Sequence, residues 1–161
     1  MTGLIVFGAK YLFAVVPLIV LLVFWKAASE ERRAMLLRGV VMMLLAVALA
    51  KGGGALYNEP RPFVVHHVAP LIPHVADNGF PSDHTLVTFA CAFLILPFSR
   101  RAAGIAILIA TAVGSARIAC NLHSPLDIVA SVLMAAVANL IALKCLPKPI
   151  VPTSPQFRAL S

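Results

Sequence analysis

This chain carries little charge. Six acids and thirteen Lys and Arg make only 12% of its 161 residues charged, while 61% are hydrophobic and the mean hydropathy is +0.96. Those proportions exclude an ordinary soluble domain. Cysteine is scarce too: Cys91, Cys120 and Cys145 stand far apart in apolar stretches with no CxxC pair. Neither a disulfide framework nor a zinc site is suggested, and the three read as small packing residues. No acidic cluster is positioned to hold Mg²⁺, and there is neither an internal repeat nor a second domain. The net charge of +7 does not point to nucleic acid, because the bases are punctuation between apolar runs rather than a patch.

What is abundant is long apolar sequence. A bilayer crossing takes roughly 17–25 predominantly apolar residues, and five runs qualify, at about 4–25, 34–57, 83–98, 102–121 and 126–146. The first is followed by Ala27-Ala28-Ser29 as a secretory signal is, but no base precedes it and the run exceeds a signal's core, so it reads as a membrane helix. The third is short, bounded by Pro81-Ser82 and Phe98-Ser99-Arg100-Arg101. The expectation is an all-α integral membrane bundle of about five transmembrane helices over 1–146. The segment 147–161 has four prolines and reads as a disordered cytoplasmic tail.

Loops rich in Lys and Arg stay in the cytoplasm. Lys26, Arg32, Arg33 and Arg38 follow the first run, Arg100 and Arg101 the third, and Lys144, Lys148 and Arg158 end the chain. All of these fall on one side, predicting an N-out/C-in topology. The opposite side receives segments 58–82 and 121–125, all five histidines and the acids Glu59, Asp77, Asp83 and Asp127. Lys10, Lys51, Arg61 and Arg117 sit in or beside the runs there, where an uncompensated charge is costly.

Three polar clusters interrupt those outer ends. In Glu59-Pro60-Arg61-Pro62 the prolines hold Arg61 in an extended segment; alone, it reads equally as a loop with a snorkelling arginine. In Pro81-Ser82-Asp83-His84, Ser82 is a candidate N-cap, and a helix start binds anions, although Ser-Asp is also an ordinary capping pattern. In the third, Ser124-Pro125-Leu126-Asp127 starts a helix with Asp127 at its third position. Asp127 is thereby near enough to accept a hydrogen bond from His123, fixing its tautomer and leaving the other nitrogen to attack. Taken together, two arginines, a helix start, two histidines and an acid converge on one side of a membrane that penalises each of them. Arginine forks and amides cradle a phosphoryl group, and the histidines supply a nucleophile and a general acid. The chemistry inferred is phosphoryl transfer without a metal or other cofactor.

The order Arg61-Pro62, then Pro81-Ser82-Asp83-His84, then Arg117, His123 and Asp127 resembles the three signature motifs of the type-2 phosphatidic acid phosphatase superfamily over roughly residues 34–146. The stretches Glu59-Pro-Arg-Pro-Phe-Val-Val-His, Leu71-Ile-Pro-His-Val-Ala-Asp77 and Phe80-Pro-Ser-Asp-His84 are similar to its bacitracin-resistance branch of undecaprenyl pyrophosphate phosphatases. The resemblance implies that His123 attacks the terminal phosphorus and forms a phosphohistidine, that Asp127 orients it, and that His84 protonates the leaving oxygen and then activates water. It implies that Arg61, Arg117, Ser82 and amides near Asp83 hold the phosphoryl oxygens. The superfamily's first motif opens on a lysine where this chain has Gly54, and Lys51, on the same helix face, is the candidate replacement. A serine usual before the third-motif arginine is Ala116, and the superfamily core has one more helix than the five runs here. Glu59, His74 and Asp77 are candidates for contact with the lipid headgroup, and His66 reads as solvated loop.

The implied function is hydrolysis of a polyprenyl diphosphate, undecaprenyl diphosphate in first place, at the outer leaflet, recycling a cell-wall lipid carrier and conferring bacitracin tolerance. The partners are then the lipid substrate and the bilayer. One alternative changes the substrate to phosphatidic acid, phosphatidylglycerol phosphate or a lipid A phosphate, or transfers the phosphate to another lipid. Another is a non-enzymatic multispanning transporter or scaffold that binds an anion without turnover.

Overall fold

Apolar runs of this length must stack on one another or face lipid, and the chain does both. In the computed structural model, which describes residues 2–146, seven α-helices follow in order: α1 (Thr2–Lys10), α2 (Val15–Lys26), α3 (Ser29–Leu56), the single-turn α4 (Pro62–Val65), α5 (Asp83–Ile95), α6 (Arg100–Ala119) and α7 (Pro125–Cys145). A 3₁₀ turn, Leu12–Ala14, joins α1 to α2. No strand occurs among the described residues, only an isolated antiparallel bridge between Pro60 and Asn78. The segment read as a disordered tail lies outside the described residues.

Helices α3, α6 and α7 are each long and apolar enough to cross a membrane, and the α1–α2 pair makes a fourth crossing if taken as one span bent by 43°. The chain is thus a multi-pass membrane protein. The first run, expected to be continuous, is broken at Tyr11–Ala14. Pro17 explains the break: it has no N–H to donate and its ring crowds the carbonyl of Phe13 four residues back, so α2 restarts with the proline in its first turn.

The run expected at 83–98 supplies α5, whose 13 residues extend only about 20 Å at 1.5 Å per residue. That is short of a hydrocarbon core of about 30 Å. Burial explains the shortness: α5 packs against α2, α3, α6 and α7 and has no large exposed side chain. Leu21, Leu44, Leu108 and Leu133 on its neighbours face outward at roughly half exposure or more, as lipid-facing residues do. α5 is therefore the central helix of the bundle.

Small residues bring the helices close. Ala90 of α5, Ala103, Ala106 and Ala110 of α6, and Ala135 and Ala138 of α7 are all fully buried, a pattern suited to association without a large hydrophobic driving force. Arg38, counted above with the cations flanking the first run, lies inside α3, fully buried with its guanidinium 5.6 Å from the Phe98 ring centroid. Gly114 of α6 is a close approach near the functional end: a Cβ there would stand 3.0 Å from Ile128 Cγ2 of α7 and 3.4 Å from Thr85 Oγ1 of α5. Gly114→Val is expected to force α6 away from both neighbours and destabilise the bundle by about 1–3 kcal/mol. A lowered thermal midpoint in detergent checks this; an unchanged midpoint contradicts the packing.

Candidate active site

The site is assembled by fastening the connection between α3 and α5 to the turn between α6 and α7. Phe63 and Leu71 donate backbone N–H groups to the carbonyls of Asn121 and Cys120, at 3.2 and 3.3 Å. A small apolar cluster of Ala9, Cys120 and Leu122, with Phe63 and Ile72 against it, seals the same junction. Within the connection, Asn78 uses its whole amide. Oδ1 accepts from the N–H of Glu59 at 3.0 Å and of Phe80 at 2.9 Å, and Nδ2 donates to the carbonyls of Gly54 and Tyr57, both at 3.0 Å. Sequence reading passed over Asn78, whose partners are known only once the loop is closed.

Asn78 thereby positions Gly79, whose carbonyl accepts from His123 Nδ1 at 2.9 Å. Asp127 Oδ2 lies 3.2 Å from the same nitrogen and also accepts the Ser124 N–H at 2.8 Å, completing the expected capping box at the start of α7. A carbonyl oxygen can only accept, so Nδ1 carries the proton and Nε2 presents its lone pair. Gly79 has no room for a side chain: a Cβ would stand 3.2 Å from Glu59 O and 3.3 Å from Asp127 Oδ2.

Around Nε2 stand both arginines, Arg61 Nη1 at 3.4 Å and Arg117 Nη2 at 3.3 Å. Arg61 has the extended backbone expected of it, φ −60° and ψ 145° before Pro62. Its Nε donates to Asp77 Oδ1 at 2.6 Å and its Nη1 to Leu122 O at 2.9 Å. Asp77, placed by sequence among the headgroup candidates, is thus the partner that aims Arg61. The hydrogen bond from Arg61 holds the Asp77 carboxyl below its ordinary pKa. Arg117 Nη1 donates to Ala9 O at 3.4 Å. Burial pushes His123 below the ordinary 6.5 and the two guanidiniums add to that, while the hydrogen bond to Asp127 opposes it.

Ser82 does cap α5 by position, but its buried hydroxyl accepts from Thr85 Oγ1 at 3.1 Å rather than from a first-turn N–H. It is absent from the cavity wall, and the amides opening α5 have no side-chain cap. Ser131 of α7, another residue sequence reading missed, sets its hydroxyl 2.9 Å from Ser82 O and 2.7 Å from Asp127 O, tying the two helix starts together. A cavity of about 610 Å³ opens over the cluster, lined by Arg61, Asp77, Asp83, His84, Arg117 and His123. Lys51 and Gly54 stand together on its α3 wall and His74 also lines it, while Glu59 is not on it. Val47, Ala50, Leu86 and Val87 form the apolar part. Among the described residues, no group of three His, Cys, Asp or Glu is placed to share a metal ion.

With this geometry in hand, residues 35–150 match the family model of the PAP2 superfamily. The chain belongs to the PAP2 superfamily. The bacitracin transport permease protein BcrC of Bacillus licheniformis is 38% identical over 101 residues, 62% of this chain and 50% of that protein. The undecaprenyl-diphosphatase BcrC of Bacillus subtilis is 39% identical over 82 residues, 51% of this chain and 42% of that protein. A putative undecaprenyl-diphosphatase of Escherichia coli, YbjG, is 32% identical over 90 residues, 55% of this chain and 46% of that protein. This PAP2 chain spans about half the length of the curated relatives it matches. The crystal structure of Aquifex aeolicus LpxE superposes with a TM-score of 0.62 at 26% identity, covering 89% of this chain and 82% of that one.

Asn78→Ala leaves two amides without their acceptor, at about 1 kcal/mol for each bond lost. Hydrogen exchange at Glu59 and Phe80 is expected to speed up by about tenfold or more, with α6 unchanged. Unaltered exchange at both amides would contradict the role given to Asn78.

Proposed function

We propose that this chain is a membrane lipid phosphatase that removes the terminal phosphate of undecaprenyl diphosphate through a phosphohistidine, at the face of the membrane away from the cytoplasm. The observation that carries the reading is the state of His123: Nδ1 is held by Gly79 O and Asp127, and Nε2 lies between two guanidiniums. In this reading a terminal phosphate takes over the arginine hydrogen bonds now spent on Nε2. Arg61, Arg117 and the amides opening α5 hold its oxygens and stabilise the charge that develops on them. Nε2 forms a bond to phosphorus as the bond to the bridging oxygen breaks, and His84 gives that oxygen a proton. Water then attacks the phosphohistidine, His84 takes the water's proton, and inorganic phosphate leaves. Asp127 offsets the positive charge on the His123 ring during transfer.

A lipid substrate is supported by a cavity that joins this polar head to the apolar wall of Val47, Ala50, Leu86 and Val87. The diphosphate is supported by the names of two relatives, the undecaprenyl-diphosphatase BcrC of Bacillus subtilis and the putative undecaprenyl-diphosphatase YbjG of Escherichia coli, with Lys51 and His74 on the wall as contacts for a second phosphate. The facing of the site rests on Lys26, Arg32, Arg33, Arg100 and Arg101, which gather at the turns of the opposite end.

His123→Ala is expected to abolish phosphate release from undecaprenyl diphosphate by the detergent-solubilised protein, and Asp127→Asn to lower it by about 10²-fold or more. Undiminished release from His123→Ala would sink the mechanism. Activity is expected to persist in excess chelator, and its loss there would overturn a metal-free reaction. Because His123 attacks in its neutral form and burial lowers its pKa, activity should survive acidification through pH 6.5, with its acid limb below that value. An acid limb at or above the ordinary histidine value would contradict the environment described for His123.

A further inference from the structure

The two histidines of the site are held in different ways. His123 is oriented by hydrogen bonds to Nδ1. Neither ring nitrogen of His84 has a hydrogen bond among the described residues. Among the described residues its one close ring contact is Phe13, in the 3₁₀ turn that breaks the first span, with ring centroids 4.7 Å apart and planes at 77°. This is the edge-to-face arrangement that aromatic rings favour. Phe13 is itself only partly buried, so it is no ordinary core residue. Four residues earlier, Ala9 gives its carbonyl to Arg117. Gly8 lies so near α6 that a Cβ would stand 3.3 Å from the Ala116 methyl. The broken first span, outside the 35–150 matched to the family, therefore touches two residues of the site.

A group that gives a proton in one step and takes one in the next needs its nitrogens unobstructed, yet its ring must be aimed. A packed aromatic ring meets both needs, since it restrains the plane of the imidazole and makes no hydrogen bond to either nitrogen. We propose that Phe13 is the positioning residue of His84, an inference that rests on the phosphatase reading. It aims the ring so that one nitrogen delivers its proton to the bridging oxygen as the bond from that oxygen to phosphorus breaks. The same nitrogen later takes the proton of the water that attacks the phosphohistidine.

The test compares wild type, Phe13→Leu and Phe13→Tyr on undecaprenyl diphosphate and on p-nitrophenyl phosphate, whose leaving group departs without a proton. Phe13→Leu is expected to lower kcat/KM about tenfold on the lipid diphosphate and less than about twofold on p-nitrophenyl phosphate, which a merely structural defect would not separate. Phe13→Tyr, which keeps the aromatic ring, should stay near wild type on both. Equal losses on the two substrates, or no loss on either, would overturn the proposal while the phosphatase reading stands. A wild type inactive on both substrates would sink that reading and the proposal with it. Orthovanadate binding monitors the phosphate cradle. If Phe13→Leu fails to bind it, Phe13→Met carries the same comparison, and loss of binding in both variants would assign Phe13 to folding alone.

Discussion

The direction of one N–H bond organises the head of this bundle. His123 Nδ1 points its proton at Gly79 O and Asp127 Oδ2, and everything nearby either supplies those acceptors or uses the nitrogen left over. Gly79 must lack a side chain because Glu59 O, Asp127 and Arg61 crowd it. The loop bearing Gly79 must be closed, and Asn78 closes it against the end of α3. Asp127 must hold its place, and the cap that starts α7 fixes it there. The arginines then have a lone pair to face, and Asp77 and Leu122 O steady the first of them.

The membrane sets the second constraint. Ionisable groups are costly within a bilayer, so the chain gathers the polar residues of the site at one end, where loop and helix starts bury them in protein instead of lipid. Below that end α5 is enclosed on its sides by α2, α3, α6 and α7, and it needs neither the length nor the greasy exterior of a lipid-facing helix. Its first turn, with His84, is consequently set in a rigid surround rather than on a mobile loop. Rigid support of this kind holds reacting groups in register.

What was legible in the sequence was local or forced by cost. The His123–Asp127 contact follows from a four-residue spacing across a capping box, and the extended Arg61 from its flanking prolines. The convergence of Arg61, His84, Arg117 and His123 follows from the expense of leaving them in lipid. The all-helical bundle was legible from the apolar runs alone. The rest depends on partners distant in the chain. Asn78 and Gly79 look like ordinary loop residues until the loop docks. Asp77 looks like a surface acid until Arg61 turns to it, Ser131 is one more small residue in an apolar helix, and Ser82 keeps its cap position while its hydroxyl goes to Thr85. The break in the first span was in principle readable from Pro17; that it delivers Phe13 to His84 was not, because nothing local links residue 13 to residue 84.

The claim on which the account stands is that His123 takes the phosphoryl group on Nε2. Rapid quenching of the full chain during turnover of ³²P-labelled undecaprenyl diphosphate, followed by peptide mapping and ³¹P spectroscopy of the labelled peptide, tests it most directly. The account predicts an acid-labile, alkali-stable phosphoramidate on the peptide containing His123, bonded through Nε2. Label on Nδ1, on His84 or on any other residue, or turnover with no phosphorylated protein at any quench time, would contradict it.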